Sequence, residues 1–290
     1  MALSYAGGTD IGNLSAHNED AYFADPELGL WLVADGMGGH EAGEVASQVV
    51  KEAVTAAISQ QQSLSQSIQL AHEAIKSAGQ TGRGAPGMGS TIVALHSVDE
   101  TYTIGWVGDS RAYSWEGGKL TQITTDHSFV QRLVESGAIS QEEAQHHPNR
   151  NIIVHSLGAV DVKDAHVDTL RNYWLQGQKI LLCSDGLSDE VRDSQISQIF
   201  EKYADNDQQI VDKLIQAALE NGGGDNITAI IISAPDDAPS HDQLIHMRTQ
   251  KIVPDRESLW RRLLDRWLGA IALLLTILLT LVLILYLAGQ

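Results

Sequence analysis

The chain has 290 residues, with 37 Asp+Glu against 19 Lys+Arg and a formal charge of −18. An excess of that sign repels polyanions and excludes an electrostatic nucleic-acid binder, while 43% apolar and 19% charged residues exclude global disorder. One cysteine, Cys183, excludes an intramolecular disulfide and argues against a cysteine-based zinc site.

The first thirty residues show neither a basic n-region nor an apolar h-region, so no signal peptide is read there. Short runs rich in Val, Ile, Trp and Tyr predict strands at Leu30–Ala34, Thr91–Leu95, Tyr102–Val107, Ile180–Cys183 and Ile227–Ile232. Apolar residues at helical spacing predict helices over Glu41–Ser59, Ser63–Ala78 and Gln208–Glu220, with shorter ones over Asp126–Glu135 and Ser140–Gln145. Between them, Gly79–Gly89 holds five glycines and Pro86 and is expected to be a loop. Strands occur both side by side and separated by helices, which favours a mixed α and β protein with antiparallel sheets over a doubly wound fold.

Beyond position 233 the composition changes. Residues 234–255 contain Pro235, Pro239 and Pro254 among polar residues and read as a linker. Residues 256–267 carry Arg256, Arg261, Arg262 and Arg266, and the 21 residues of 268–288 carry no charge. At about 1.5 Å per residue such a stretch spans a bilayer core of roughly 30 Å, with Trp267 and Tyr286 at the interfacial positions. The preceding arginines put the bulk of the chain on the cytoplasmic side, so this end reads as a single-pass tail anchor contacting membrane lipid. Six basic and four acidic residues follow position 239, so the part before it holds 13 basic against 33 acidic residues.

Several of those acids recur in one setting. Asp35 closes LWLVA and precedes GMGG; Asp109 closes YTIGWVG; Asp185 closes KILLCS; Asp225 follows GGG; Asp20 stands before AYF. Each lies at one end of an apolar run, and all but Asp20 adjoin a glycine, where backbone approaches closely. One such Asp is ordinarily a turn residue. Five suggest a cluster, and clustered carboxylates raise each other's pKa unless cations sit among them. Hard divalent cations with oxygen ligands answer that need, and a paired-cation site suits in-line phosphoryl transfer.

The motifs NED (Asn18–Asp20), VADGMGGHEAGE (Val33–Glu44), GSTIVAL (Gly89–Leu95), VGDSRAY (Val107–Tyr113), TDHS (Thr125–Ser128), HPNRN (His147–Asn151), CSDGLSDE (Cys183–Glu190) and GGGDNIT (Gly222–Thr228) occur in that order. On them, residues 1–233 resemble the metal-dependent protein phosphatases of the 2C type, bacterial branch. The resemblance implies an α+β fold: a four-layer αββα sandwich of two antiparallel sheets flanked by helices, followed here by the membrane helix. It implies a serine/threonine phosphoprotein phosphatase in which water, activated at two Mg²⁺ or Mn²⁺ ions, attacks the phosphomonoester directly. Asp35 would bridge the two ions and the Gly36 carbonyl would bind one. Asp185 and Asp225 would complete the pair; Glu19 and Asp20 would act through bound waters; Asp109, Asp185 and Asp189 would form a third site. Residues from about Asp126 to Asp168 would include a flap beside the cleft. Phosphorylated proteins would be the substrates, a cognate serine/threonine kinase a partner, and the inner face of a bacterial inner membrane the location.

Two departures from the family pattern bear on activity. Ser15 stands where an arginine usually grips substrate phosphate, four residues before Glu19. A hydroxyl offers one neutral hydrogen bond in place of a charged fork. Met37 stands where animal members carry a histidine proposed as general acid, which leaves water or His40 for that role. Two other readings stay open at this point: a pseudophosphatase scaffold, motivated by Ser15, and a phosphohydrolase of small molecules. Arg111 reads as half of a structural ion pair and Cys183 as a buried apolar residue rather than a nucleophile.

Overall fold

The apolar runs become strands and the helical stripes become helices. In the computed structural model, which describes residues 3–39 and 42–244, the chain begins with β1 (Ser4–Asp10), β2 (Asp20–Asp25) and β3 (Leu30–Met37). Helices α1 (Ala42–Ser59) and α2 (Leu64–Thr81) lead to β4 (Gly89–Ser90), β5 (Ile92–Val98), β6 (Thr101–Val107), β7 (Arg111–Glu116) and β8 (Lys119–Gln122). After α3 (Phe129–Glu135) and α4 (Gln141–Gln145) come β9 (Asp168–Tyr173), β10 (Lys179–Cys183), α5 (Asp185–Ser188), α6 (Asp193–Lys202), α7 (Asp207–Asn221) and β11 (Ile227–Ser233).

One sheet has the order β1-β11-β10-β7-β8 and the other β2-β3-β5-β6-β9, with β4 on β3. The pairings are antiparallel in both. Period-2 alternation splits each central strand between two layers. On β3, Leu30, Leu32 and Ala34 pack with Val50, Val54 and Ile68 of α1 and α2. Trp31 and Val33 of the same strand enter the core between the sheets, with Ile180, Leu182, Ile230 and Ile232. The alternate residues of the other sheet, Leu181, Cys183 and Ile231, meet Phe200 of α6 and Leu214 of α7. The four-layer sandwich is therefore built by strands that are apolar on both faces.

Where the structure departs from the sequence expectations, local causes are visible. α2 runs through the start of the expected 79–89 loop: Gly79 is buried within it, and the helix ends at Gly82 with φ of 83° and its N–H donating to Ala78 O. That left-handed cap marks the true helix end. The strands β1, β2, β7, β8 and β9 and the helix α6 lacked strong apolar runs. α6 buries only Ile196 and Phe200. The compact unit extends to Ala238, a little beyond the expected boundary at 233. Residues 239–290 form a second unit, described only as far as Leu244. Among the described residues no helix is long and apolar enough to cross a membrane. The expected basic segment at 256–267 and span at 268–288 lie outside the described residues, as does His40.

Ile230 is fully buried between the sheets. Ile230→Ala is expected to destabilise the protein by about 2–5 kcal/mol, the range for emptying a core isoleucine site. Urea unfolding followed by tryptophan fluorescence measures it.

Candidate metal centre

The antiparallel register does the assembling. Asp20, first in β2, lies opposite Asp35 of β3. In the other sheet, β10 ends at Cys183 and delivers Asp185 as the first residue of α5, while Asp225 stands two residues before the neighbouring β11. Asp109 follows β6. The acids thus leave two sheets at one edge of the sandwich.

Close backbone packing holds them there. A Cβ on Gly36 would stand 1.9 Å from Gly43 O, and one on Gly186 would stand 2.0 Å from Asn226 O. Neither position tolerates a side chain without moving backbone. The carbonyl of Asp35 accepts from Thr91 N–H at 2.8 Å and from the Ser90 hydroxyl at 2.9 Å. Asp189 N–H donates to Asp185 O at 2.7 Å. Asn226 pins the 11–19 loop: its amide Nδ2 donates to Ile11 O and His17 O, and its Oδ1 accepts from Glu19 N–H at 2.6 Å. Ser15, half-buried, lies in this loop.

The electrostatics are adverse in the bare protein. Burial pushes Asp20 and Asp185 up to about 7, with neighbouring carboxylates adding to the rise in each. Asp35 and Asp109 are held well above the usual range, first by burial and then by Asp185. Glu19 is raised by burial and by Asp225, and Asp189 by burial. Two hydroxyls, Ser184 at 2.7 Å and Thr228 at 2.6 Å, donate to Asp20 Oδ2. Its other oxygen, with Oδ1 of Asp109 and of Asp185, is buried with no donor among the described residues. Unpartnered buried carboxylate oxygens from three chain segments, all facing like charges, make an all-oxygen donor set that fits hard divalent cations such as Mg²⁺ or Mn²⁺.

The sequence-picked acids therefore come together, except that His40 lies outside the described residues. Met37 sits at the end of β3, paired with Gly89 of β4. The expected ion pair of Arg111 is made with Asp126, Nη2 to Oδ2 at 2.7 Å. Cys183 is buried and its thiol is pushed up to about 12, consistent with an inert core residue. Sequence reasoning gave no role to Ser184, Asn226, Thr228, Thr91 or His127. All five lie inside the quoted motifs, His127 in TDHS, and the first three stand adjacent to or near the metal-type acids, which was the available signal. His127 belongs to a separate group in which His127, His166 and Asp168 place ligand-type atoms within 4.8 Å of one another. Gly108 N–H donates to His127 Nδ1 at 3.2 Å, which puts the ring proton on Nε2, facing Asp168 Oδ2 at 3.3 Å. Both ring nitrogens are spent, so His127 works as a strut between the Asp109 turn and β9.

Known proteins bear on this arrangement. Residues 10–220 match the family model "Protein phosphatase 2C". Over 244 residues the chain is 36% identical to the serine/threonine protein phosphatase PstP of Mycobacterium tuberculosis, covering 81% of this chain and 46% of that protein. It spans about half the length of that relative. It is 34% identical over 237 residues to the serine/threonine phosphatase stp of Listeria monocytogenes, covering 77% of this chain and 93% of that one. A crystal structure of the M. tuberculosis phosphatase superposes with a TM-score of 0.74 at 35% identity, covering 81% of this chain and 99% of the other. A second, of the PstP catalytic domain in complex with two manganese ions, gives 0.72 at 34% identity, again over 81% and 99%. This chain belongs to the protein phosphatase 2C family.

The raised acids set a pH dependence. Asp20 and Asp185 titrate near 7 when folded against an ordinary 3.8, so the folded, cation-free protein binds more protons than the unfolded chain between those limits. Stability contributed this way is present below the lower value and lost as pH rises through the upper one. In EDTA, the melting temperature is expected to fall between about pH 4 and 7 through these groups. Saturating Mn²⁺, at 100 times its Kd, stabilises by about 2.7 kcal/mol, an increase of roughly 5–10 °C for a domain this size. At one fixed Mn²⁺ concentration the increase is expected to be larger at pH 7.5 than at pH 5, because protons compete for the carboxylates, as read by scanning fluorimetry.

Proposed function

We propose that this chain is a Mg²⁺- or Mn²⁺-dependent protein serine/threonine phosphatase, tail-anchored at the cytoplasmic face of a bacterial membrane. The observation that carries the catalytic part is the buried group of mutually repelling carboxylates with unpartnered oxygens. Family membership supports it, as do relatives named as serine/threonine phosphatases.

Asp35, Asp185 and Asp225 would hold a cation pair, with the Gly36 carbonyl as a further ligand and Glu19 and Asp20 in the surround. Asp109, Asp185 and Asp189 would hold a third. Bound divalent cations supply charge neutralisation for phosphoryl oxygens and a lowered pKa for water. The chain's own residues do the rest. Ser184 and Thr228 fix the carboxylate of Asp20 by donating to one of its oxygens. Asn226 sets the path of the loop that carries Ser15, whose hydroxyl would donate to a phosphate oxygen. Met37 has no proton to give, so the leaving alkoxide takes its proton from solvent or from His40.

The anchoring reading rests on the uncharged 268–288 segment and the arginines before it. Substrates in this reading are phosphoproteins, with a cognate kinase at the same membrane. Protease added outside spheroplasts is expected to leave the domain intact, and protease acting on inverted vesicles to release it. The opposite pattern would reverse the orientation.

For activity, wild type is expected to hydrolyse a phosphothreonine peptide only with Mn²⁺ or Mg²⁺ present. Asp35→Asn is expected to lose about 10²–10³-fold or more, the scale for removing one charge-stabilising group. Ser15→Arg is expected to lower KM by about 5–150-fold, equivalent to 1–3 kcal/mol for a charged hydrogen bond. A wild type without turnover that Ser15→Arg activates would favour the scaffold reading instead.

A further inference from the structure

A cavity of about 580 Å³ opens from the acid cluster. Its inner wall is Asp109, Asp185 and Asp189, and its outer walls come from the α3–α4 segment and the start of α6. The charges on those walls are unequally engaged. Asp126 accepts three hydrogen bonds from Arg111, at 3.0, 3.0 and 2.7 Å. Asp193 accepts from the Tyr113 hydroxyl at 3.2 Å. Those two acids are spent. The remaining outer lining is largely neutral amide and hydroxyl, Gln131, Gln141 and Asn151 among it.

Two cations stand apart from this. Arg150 approaches Asp189 Oδ2 through Nε at 3.7 Å, a contact too long to be a hydrogen bond, and its side chain is 49% exposed. Arg192, immediately before α6, is exposed and makes no ion pair among the described residues. Neither guanidinium donates a side-chain hydrogen bond to a described residue. Two planar forks with their donors free therefore line one cavity beside the centre where a phosphoryl group would react. A guanidinium fork matches a carboxylate in geometry and charge.

We propose that Arg150 and Arg192 form a specificity subsite that takes an acidic side chain flanking the phosphorylated residue of the substrate. This rests on the phosphatase reading above and deepens it by naming the substrate class: phosphopeptides with Asp or Glu close to the phosphothreonine. The cavity measures on the order of 8 Å across, room for two or three residues of extended chain at roughly 3.3 Å each. The acidic neighbour therefore lies within about three positions of the phosphate. The domain as a whole is acidic, so its long-range field slows every anionic peptide. The subsite instead distinguishes peptides of equal charge by where the acid stands.

The test compares two phosphothreonine peptides of identical composition, assayed with Mn²⁺ and the full chain. One carries two Glu within three positions of the phosphate, and the other carries them more than seven positions away. Wild type is expected to favour the first by about tenfold in kcat/KM, the scale of one charge-assisted contact. Arg150→Gln and Arg192→Gln are each expected to reduce that ratio, and the double variant to bring it to about one. The ratio cancels any general loss of activity, and Arg192→Gln removes no described ion pair, so a folding defect cannot imitate the result. A wild-type ratio near one, or a ratio unchanged in the double variant, overturns the subsite while leaving the phosphatase reading intact. No Mn²⁺-dependent hydrolysis of either peptide, or of p-nitrophenyl phosphate, overturns the phosphatase reading and the subsite with it.

Discussion

Carboxylates repel one another, and burial makes each harder to ionise. Asp20, Asp35, Asp109 and Asp185 nevertheless converge at one edge of the sandwich, each raised above the usual carboxylate range by burial. Such an arrangement works against folding unless protons or cations enter it. The surrounding structure is organised around that cost. Two sheets, each stiffened by apolar residues on both faces, hold the acids where an isolated loop would let them spread apart.

The positioning is done mainly by backbone. Gly36 lets β3 pass against Gly43 of α1, and Gly186 lets α5 pass against Asn226. Those contacts seat the acids of each sheet, and the links between the sheets are the hydroxyls of Ser184 and Thr228 donating to Asp20. Neutral donors then handle what charge they can: Ser184 and Thr228 on Asp20, and Asn226 on the loop bearing Glu19. The oxygens left without donors are the ones a cation would use.

The architecture was legible where apolar runs were strong. β3, β5, β6, β10 and β11, and helices α1, α2 and α7, are buried on enough residues for their periodicity to survive in the sequence. The edge strands β1, β8 and β9 alternate with polar residues and carry little signal. α6 buries only Ile196 and Phe200, with Ile199 partly buried beside them. At the site, strand-end aspartates beside glycine pointed to Asp35, Asp109, Asp185 and Asp225, because the chemistry demands that residue type at that place. The supports were hidden: a Ser, Thr or Asn in a motif does not reveal which carboxylate or carbonyl it will meet across more than a hundred residues of chain. The strut role of His127 depends on a backbone N–H from Gly108 that no local pattern announces.

The central claim is that this buried acid cluster exists to be neutralised by divalent cations. If so, cation binding must expel the protons that burial retains. Calorimetric titration of Mn²⁺ into the full chain near pH 6.5, repeated in buffers of different ionisation enthalpy, counts those protons. The account predicts release of about one or more protons per chain, diminishing as pH rises above 8. Mn²⁺ binding with no proton release at pH 6.5, or no binding at all, would contradict it.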